Sequence, residues 1–228
     1  MEPNSRKDRV RLTAGGVTLE GNLTLPQGAG GMVLFAHGSG SSRHSPRNRH
    51  VARLLNQANL ATLLLDLLTA EEEALDQDSA KLRFNIGLLA TRLIGATHWI
   101  AGHDSTRGLN IGYFGASTGA AAALVAADRA DMVKAVVSRG GRPDLAGNAL
   151  VHVEAPTLLI VGGHDLPVIE LNQEALARLH GEKSLVIVPG ATHLFEEPGA
   201  LDEVARLARE WFGRYLTSAE ESGRPGRG

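Results

Sequence analysis

Cysteine is absent from the 228 residues, so no disulfide, thiolate zinc site, iron–sulfur cluster or cysteine nucleophile can form. Aromatic residues make up only 4% of the chain, and neither sign of charge prevails, with 23 Lys and Arg against 25 Asp and Glu. That balance gives no sign of the basic face on which a nucleic-acid binder depends. Long apolar runs are missing as well. The densest, Leu60 to Leu68, stops far short of the roughly 20 residues a membrane span requires. Met1 to Arg9 hold no apolar secretory segment, so the expectation is a cytoplasmic protein with no membrane or nucleic-acid partner. What remains is a 43% hydrophobic chain of a length that suits one globular domain.

The apolar pattern alternates between short runs and helical stretches. Val10 to Thr13 and Val17 to Thr24 read as strands joined by Ala14-Gly15-Gly16, the second alternating apolar and polar as a half-buried antiparallel strand does. Six further runs are almost wholly apolar, as strands covered on both faces are: Met32 to Ala36, Ala61 to Leu65, Ile111 to Phe114, Ala135 to Val137, Thr157 to Val161 and Ser184 to Val188. Helical spacing fills Asn48 to Gln57, Ser79 to Ile100, Gly119 to Asp128, Val168 to His180 and Pro198 to Leu216. This predicts an α/β fold in one domain over 1–217, with an antiparallel entry, a mostly parallel sheet and helices on both faces. Residues 218–228 are polar and rich in Gly and Pro, the composition of a flexible tail. Ligands of such sheets bind beyond the carboxyl ends of the strands, which directs attention to the loops there.

Gly115-Ala116-Ser117-Thr118-Gly119 matches G-x-S-x-G. At this composition chance supplies about 0.16 copies, so the motif alone proves little and its setting matters. It follows the strand ending at Phe114 and opens an Ala-rich helix, the strand–turn–helix context in which a serine hydroxyl is exposed on a tight turn. A serine needs a histidine to take its proton and a carboxylate to orient that histidine. Asp165 follows the strand Thr157 to Val161, and His193 follows the strand Ser184 to Val188, so Ser117, Asp165 and His193 form the candidate triad. Asp144, in another rim loop, is the rival acid, and Asp165 has the alternative of capping the helix near Val168. His164 is read as a loop residue. Phe35-Ala36-His37-Gly38-Ser39-Gly40 ends the strand at Ala36, and the backbone N–H groups of Ser39 and Thr118 are the expected oxyanion donors.

Those segments, His37-Gly38-Ser39-Gly40, Gly115 to Gly119, Val161 to Asp165 and Gly190-Ala191-Thr192-His193, resemble the α/β-hydrolase superfamily over nearly the full chain. The likeness is strongest to its dienelactone-hydrolase-like branch. The resemblance implies an eight-stranded sheet, a Ser-His-Asp triad, no cofactor, and hydrolysis of esters or lactones. Typical dienelactone hydrolases carry cysteine at the elbow, whereas this chain has Ser117. General carboxylesterase chemistry is therefore the carry-over. Acyl transfer or peptide cleavage on the same triad, and a silent scaffold serving as a binding domain, are the alternatives.

Fewer than twenty residues separate Val137 from Thr157, leaving no room for a large cap domain and favouring a small soluble ester or lactone as substrate. Ser41 to His50 carry Arg43, Arg47, Arg49 and two histidines but no acid, and Arg139 and Arg142 lie in another rim loop. Arg43 and Arg139 are the candidates for holding an anionic group of the substrate, by the bidentate pairing that guanidinium favours. The competing expectation for them is structural ion pairing. No cluster has metal-ligand spacing, and the oligomeric state is not legible.

Overall fold

A computed structural model describes residues 4–217, and the expected tail at 218–228 lies outside them. Strands β1 (Ser5–Ala14) and β2 (Val17–Pro26) pair antiparallel across a turn in which Gly15 and Gly16 take φ of 57° and 79°. β3 (Gly31–Ala36), β4 (Leu60–Leu65), β5 (Ile111–Ala116), β6 (Val133–Arg139), β7 (Thr157–Gly162) and β8 (Lys183–Val188) complete one eight-stranded sheet. Its order is β1-β2-β4-β3-β5-β6-β7-β8, with β2 antiparallel to β4 and every later pairing parallel. β3, β4, β5 and β7 are buried along their whole length, which is why they read as uninterrupted apolar runs. The expected α/β-hydrolase fold is the one observed.

Helices α1 (Pro46–Gln57) and α6 (Ala200–Leu216) pack on one face around Phe35, Phe114, Phe195 and Phe212. α3 (Ile86–Gly102), α4 (Thr118–Arg129) and α5 (Leu166–Arg178) belong to the opposite face, with Leu34, Leu63, Tyr113 and Leu159 beneath them. α4 is so rich in alanine that all of Thr118 to Ala127 is buried, which lets it lie close against β5. Between β6 and β7 runs a 3-10 stretch, Pro143–Val151, and no cap domain intervenes there. Among the described residues no helix is long and apolar enough to cross a membrane.

The helix expected over Ser79 to Ile100 begins later, as α3 at Ile86, and α2 (Ala70–Ser79), which the apolar pattern does not show, ends before it. Asp76 makes the break. Its buried carboxylate accepts from the backbone N–H groups of Leu82 (2.6 Å) and Arg83 (3.0 Å) and from Arg83 Nε (2.7 Å), folding 80–85 back over the end of α2. Desolvation pushes the Asp76 carboxyl up, yet the Arg83 guanidinium, those N–H groups and the Ser79 hydroxyl outweigh it and hold the pKa at about 2. The start of α2 is a capping box in which Thr69 Oγ1 accepts from Glu72 N–H and the Glu72 carboxylate accepts from Thr69 N–H.

Candidate active site

Ser117 joins β5 to α4 at φ 50°, ψ −124°, a region that non-glycine residues rarely occupy. Three backbone bonds hold the turn. Ser117 N–H donates to Arg139 O at 3.3 Å, and Ser117 O accepts from Ala120 and Arg142 N–H, both at 3.1 Å. The flanking glycines are required by space. A Cβ on Gly119 would lie 2.2 Å from Ala36 O and 2.5 Å from His37 O, and one on Gly115 would lie 2.4 Å from Ala120 Cα. These contacts are with backbone, so no side-chain motion relieves them. Gly119→Ala is expected to cost about 3 kcal/mol or more, seen as a lowered midpoint of urea unfolding, and to move Ser117 off its turn. An unchanged midpoint would mean that β3 can withdraw from α4 freely.

Asp165 and His193 lie on the next rim loops. His193 Nδ1 donates to Asp165 Oδ2 at 2.6 Å, and the carboxylate is well covered while the imidazole is part-exposed. The loop carrying His193 is anchored by Phe195, which accepts a φ of 57° so that its ring can be fully buried against α6 and β6. Gly140, after β6, passes beneath His193, with room for a Cβ only 3.0 Å from His193 O. The Ser117 hydroxyl itself makes no hydrogen bond among the described residues. In unliganded hydrolases such catalytic links are commonly open and tighten around substrate. Asp144 is engaged elsewhere, forked by Arg142 at 2.8 and 2.7 Å. His164 is exposed, and its N–H donates to Ala191 O at 2.9 Å.

The turn after β3 sits directly against Ser117, since a Cβ on Gly38 would meet Ser117 Cβ at 2.9 Å. Thr118 N–H, at the positive end of α4, has no acceptor among the described residues. Ser39 N–H is different from expectation: it donates to Thr118 Oγ1 at 2.9 Å, so a threonine hydroxyl occupies that donor in this structure. His37 fixes the turn. Its Nδ1 donates to Gly38 O (2.9 Å) and its Nε2 accepts from Leu67 N–H (3.1 Å), tying β3 to β4 with a neutral imidazole. Desolvation pushes the His37 pKa down, against the opposing pull of Gly38 O, Asp66 and Glu73.

A histidine whose folded pKa is depressed binds fewer protons folded than unfolded just below its ordinary value. Its contribution is therefore complete above about pH 6.5 and is lost as pH falls below it. Urea unfolding followed from about pH 7.5 down to 5 is expected to show falling stability, with a shallower fall in His37→Gln. Equal slopes in both proteins would remove His37 from this role.

A cavity of about 220 Å³ opens beside the oxyanion turn, lined by His37 to Ser41, Asp66, Glu73, Asp76, Arg83 and Leu89. A larger groove of about 640 Å³ lies between the β1–β2 ribbon and α1 and touches none of the candidate site residues. No group of His, Asp and Glu among the described residues is arranged to hold a metal.

Arg43 and Arg139, paired by the sequence reading, part company. Arg43 is consumed by structure: its guanidinium bonds Asp66 and Glu20, and its N–H donates to Asp66 Oδ1 at 2.6 Å. With two carboxylates already on it, Arg43 has no charge to offer a substrate. Arg139 is buried, and its Nε and Nη1 have no hydrogen-bond partner among the described residues. Burial first, and then the charge of Arg47, counted within the basic loop but not singled out there, push its pKa down.

Comparison with known proteins supports this architecture. Residues 57–217 match the dienelactone hydrolase family. A dienelactone hydrolase from Anabaena variabilis is 63% identical, covers 93% of this chain and 99% of its own, and superposes with a TM-score of 0.91. The chain belongs to the dienelactone hydrolase family. An α/β serine hydrolase without a lid from Xanthomonas campestris has the same fold at 18% identity, with a TM-score of 0.74 over 94% of this chain and 97% of its own. Two Mycobacterium tuberculosis proteins, each named "Putative phosphoribosyl transferase", are 57% identical over 223 residues. The match takes in 97% of this chain but 49% of theirs, so the dienelactone hydrolase homologue described here spans about half the length of these curated relatives.

Proposed function

We propose that the chain is a serine hydrolase of carboxylic esters or lactones, with Ser117 as nucleophile, His193 as general base and Asp165 as the group that orients it. The observation that carries this reading is the conjunction of Ser117 on its strained turn with the 2.6 Å Asp165–His193 bond, all on one rim of the sheet. Because Nδ1 donates to the carboxylate, Nε2 is the basic nitrogen free to take the serine proton. Attack of Ser117 Oγ on the carbonyl gives a tetrahedral oxyanion. His193 then protonates the leaving alcohol, and a water deprotonated by the same imidazole releases the acid from the acyl-enzyme.

Thr118 N–H, aided by the α4 dipole, is the first oxyanion donor, and Ser39 N–H is the second once the Thr118 hydroxyl gives up its hydrogen bond. The chemistry calls for no cofactor. The substrate is small and reaches the serine without displacing a cap, in keeping with the short β6–β7 connection. Release of 4-nitrophenol from its acetate and butyrate esters, with and without Ser117, tests the reading. Absence of turnover by the folded wild type on these esters and on simple lactones would overturn it.

The name of the M. tuberculosis relatives favours one further reading, transfer of a phosphoribosyl group. This chain spans only 49% of those proteins, so that activity is not carried over to it. Pyrophosphate release from phosphoribosyl diphosphate by this chain would overturn that reading.

A further inference from the structure

The groove between the β1–β2 ribbon and α1 takes no part in the chemistry proposed above. α3 packs against one face of β1, while on the other face the ribbon runs on past α1 and leaves a space of about 640 Å³. Arg9 stands in register with Asn22 and Asn22 with Leu64; Lys7 stands in register with Thr24 and Thr24 with Thr62. Residues in register share a face, so Lys7 and Arg9 project from the side on which Leu64 packs with α1. The facing wall is α1 itself, where Arg49 and Arg53 lie one turn apart.

These four cations line two walls of one groove, in a chain whose formal charge is −2. Among the described residues none of them pairs with a carboxylate, and Arg53 Nη2 comes only within 3.5 Å of His50 Nδ1. The groove's one carboxylate, Asp8, is engaged by Arg6 at 2.6 Å. Arg11, next on the same face of β1, has Glu20 opposite it, whereas Lys7 and Arg9 oppose the neutral Thr24 and Asn22. Like charges one helical turn apart, and again across a groove, repel, and a bound polyanion relieves both repulsions. Neutral polar groups beside them are uncommitted. Asn56 Nδ2 donates to Leu60 O (2.9 Å) and Thr62 Oγ1 (3.0 Å), leaving its Oδ1 without a donor. The side chains of Asn22 and Gln57 make no hydrogen bond among the described residues.

We propose that this groove is a second ligand site, separate from the serine site, that takes a nucleoside triphosphate. Lys7 and Arg9 hold the linked phosphates from one wall and Arg49 and Arg53 from the other, the guanidinium forks matching pairs of oxygens. Asn22 and Gln57 offer amide donors and acceptors to the nucleoside, and Asn56 an acceptor. A bare phosphate chain would use the cations and leave those amides idle. α1 spans 12 residues, about 18 Å, and so bounds the groove at a length that suits a small molecule rather than a polymer. The volume also falls within the roughly 300–1,000 Å³ of small-molecule sites. The proposal is independent of the esterase reading, because no residue of the groove belongs to the candidate triad or the oxyanion turn.

Isothermal titration in magnesium-free buffer with ATP, AMP and inorganic tripolyphosphate reads the site directly. ATP is expected to bind one per chain, about tenfold or more tighter than AMP, and tighter than tripolyphosphate. Lys7→Gln with Arg9→Gln, and separately Arg49→Gln with Arg53→Gln, are each expected to weaken ATP about tenfold or more. Arg129→Gln with Arg209→Gln removes two exposed cations outside the groove that also lack an ion pair among the described residues, and is expected to change Kd less than about twofold. Asn22→Ala is expected to weaken ATP and leave tripolyphosphate unchanged.

All the substituted cations are exposed, so the variants are expected to keep the fold, with thermal midpoints in the absence of ligand close to that of wild type. No heat of binding from wild type at millimolar ATP would overturn the proposal. So would equal weakening in the control pair and in either wall, or tripolyphosphate that binds as tightly as ATP. A glutamate decapeptide that binds more tightly than ATP would also overturn it, and would make the groove a seat for an acidic protein segment instead.

Discussion

Ser117→Ala is expected to lower kcat/KM for 4-nitrophenyl acetate and butyrate by about ten-thousand-fold or more, leaving a folded protein. The size of the loss follows from the division of labour at the site. The hydroxyl is the atom that forms the acyl-enzyme, and no cysteine exists anywhere in the chain to replace it. Residual turnover would come from Thr118 N–H and from His193 activating water directly, which is the small fraction of catalysis that outlasts loss of a nucleophile. Stability should rise slightly if it changes at all, since Ala at φ 50° carries strain similar to Ser but no unpaired hydroxyl. Retention of more than a hundredth of the activity would place the nucleophile elsewhere.

Asp165→Asn is expected to cost about ten-thousand-fold in kcat, with little change in KM. An asparagine can keep the 2.6 Å contact by presenting its NH₂ to His193 Nδ1. The imidazole then carries its proton on Nε2, where it faces the serine as a donor and cannot act as base. Asp144→Asn provides the contrast. That carboxylate is already forked by Arg142 at the start of the 3-10 stretch, and its loss should change activity by less than about threefold. The two variants together decide between the acids that the sequence left open. A larger loss in Asp144→Asn than in Asp165→Asn would reverse the assignment.

The sheet was legible because its central strands are buried on both faces and so leave continuous apolar runs, as in Met32 to Ala36 and Thr157 to Val161. The elbow was legible because Gly115 and Gly119 are needed by contacts that any sequence making this turn must satisfy. Helix α2 was missed because its face is mostly acidic and presents little apolar periodicity. Its signal was local, the Thr69-x-x-Glu72 capping box. The break before α3 depends on a single side chain, Asp76, which bonds six and seven residues ahead, and periodicity does not register such a contact.

The arginines divide for a related reason. A count of basic residues in a loop says nothing of where the acids fall, and Asp66 and Glu20 reach Arg43 from β4's end and from β2. Arg139 lacks such partners because it points to the face built from Phe114, Ala135 and Val137. The occupation of Ser39 N–H by Thr118 Oγ1 has the same character, a contact between residues 79 positions apart.

The most direct test of the central claim is the intact mass of the protein after reaction with a fluorophosphonate, followed by peptide mapping. The account predicts a single adduct on Ser117, slowed in Asp165→Asn and absent in Ser117→Ala. No adduct on the folded wild type, or an adduct on another residue that persists in Ser117→Ala, would contradict it.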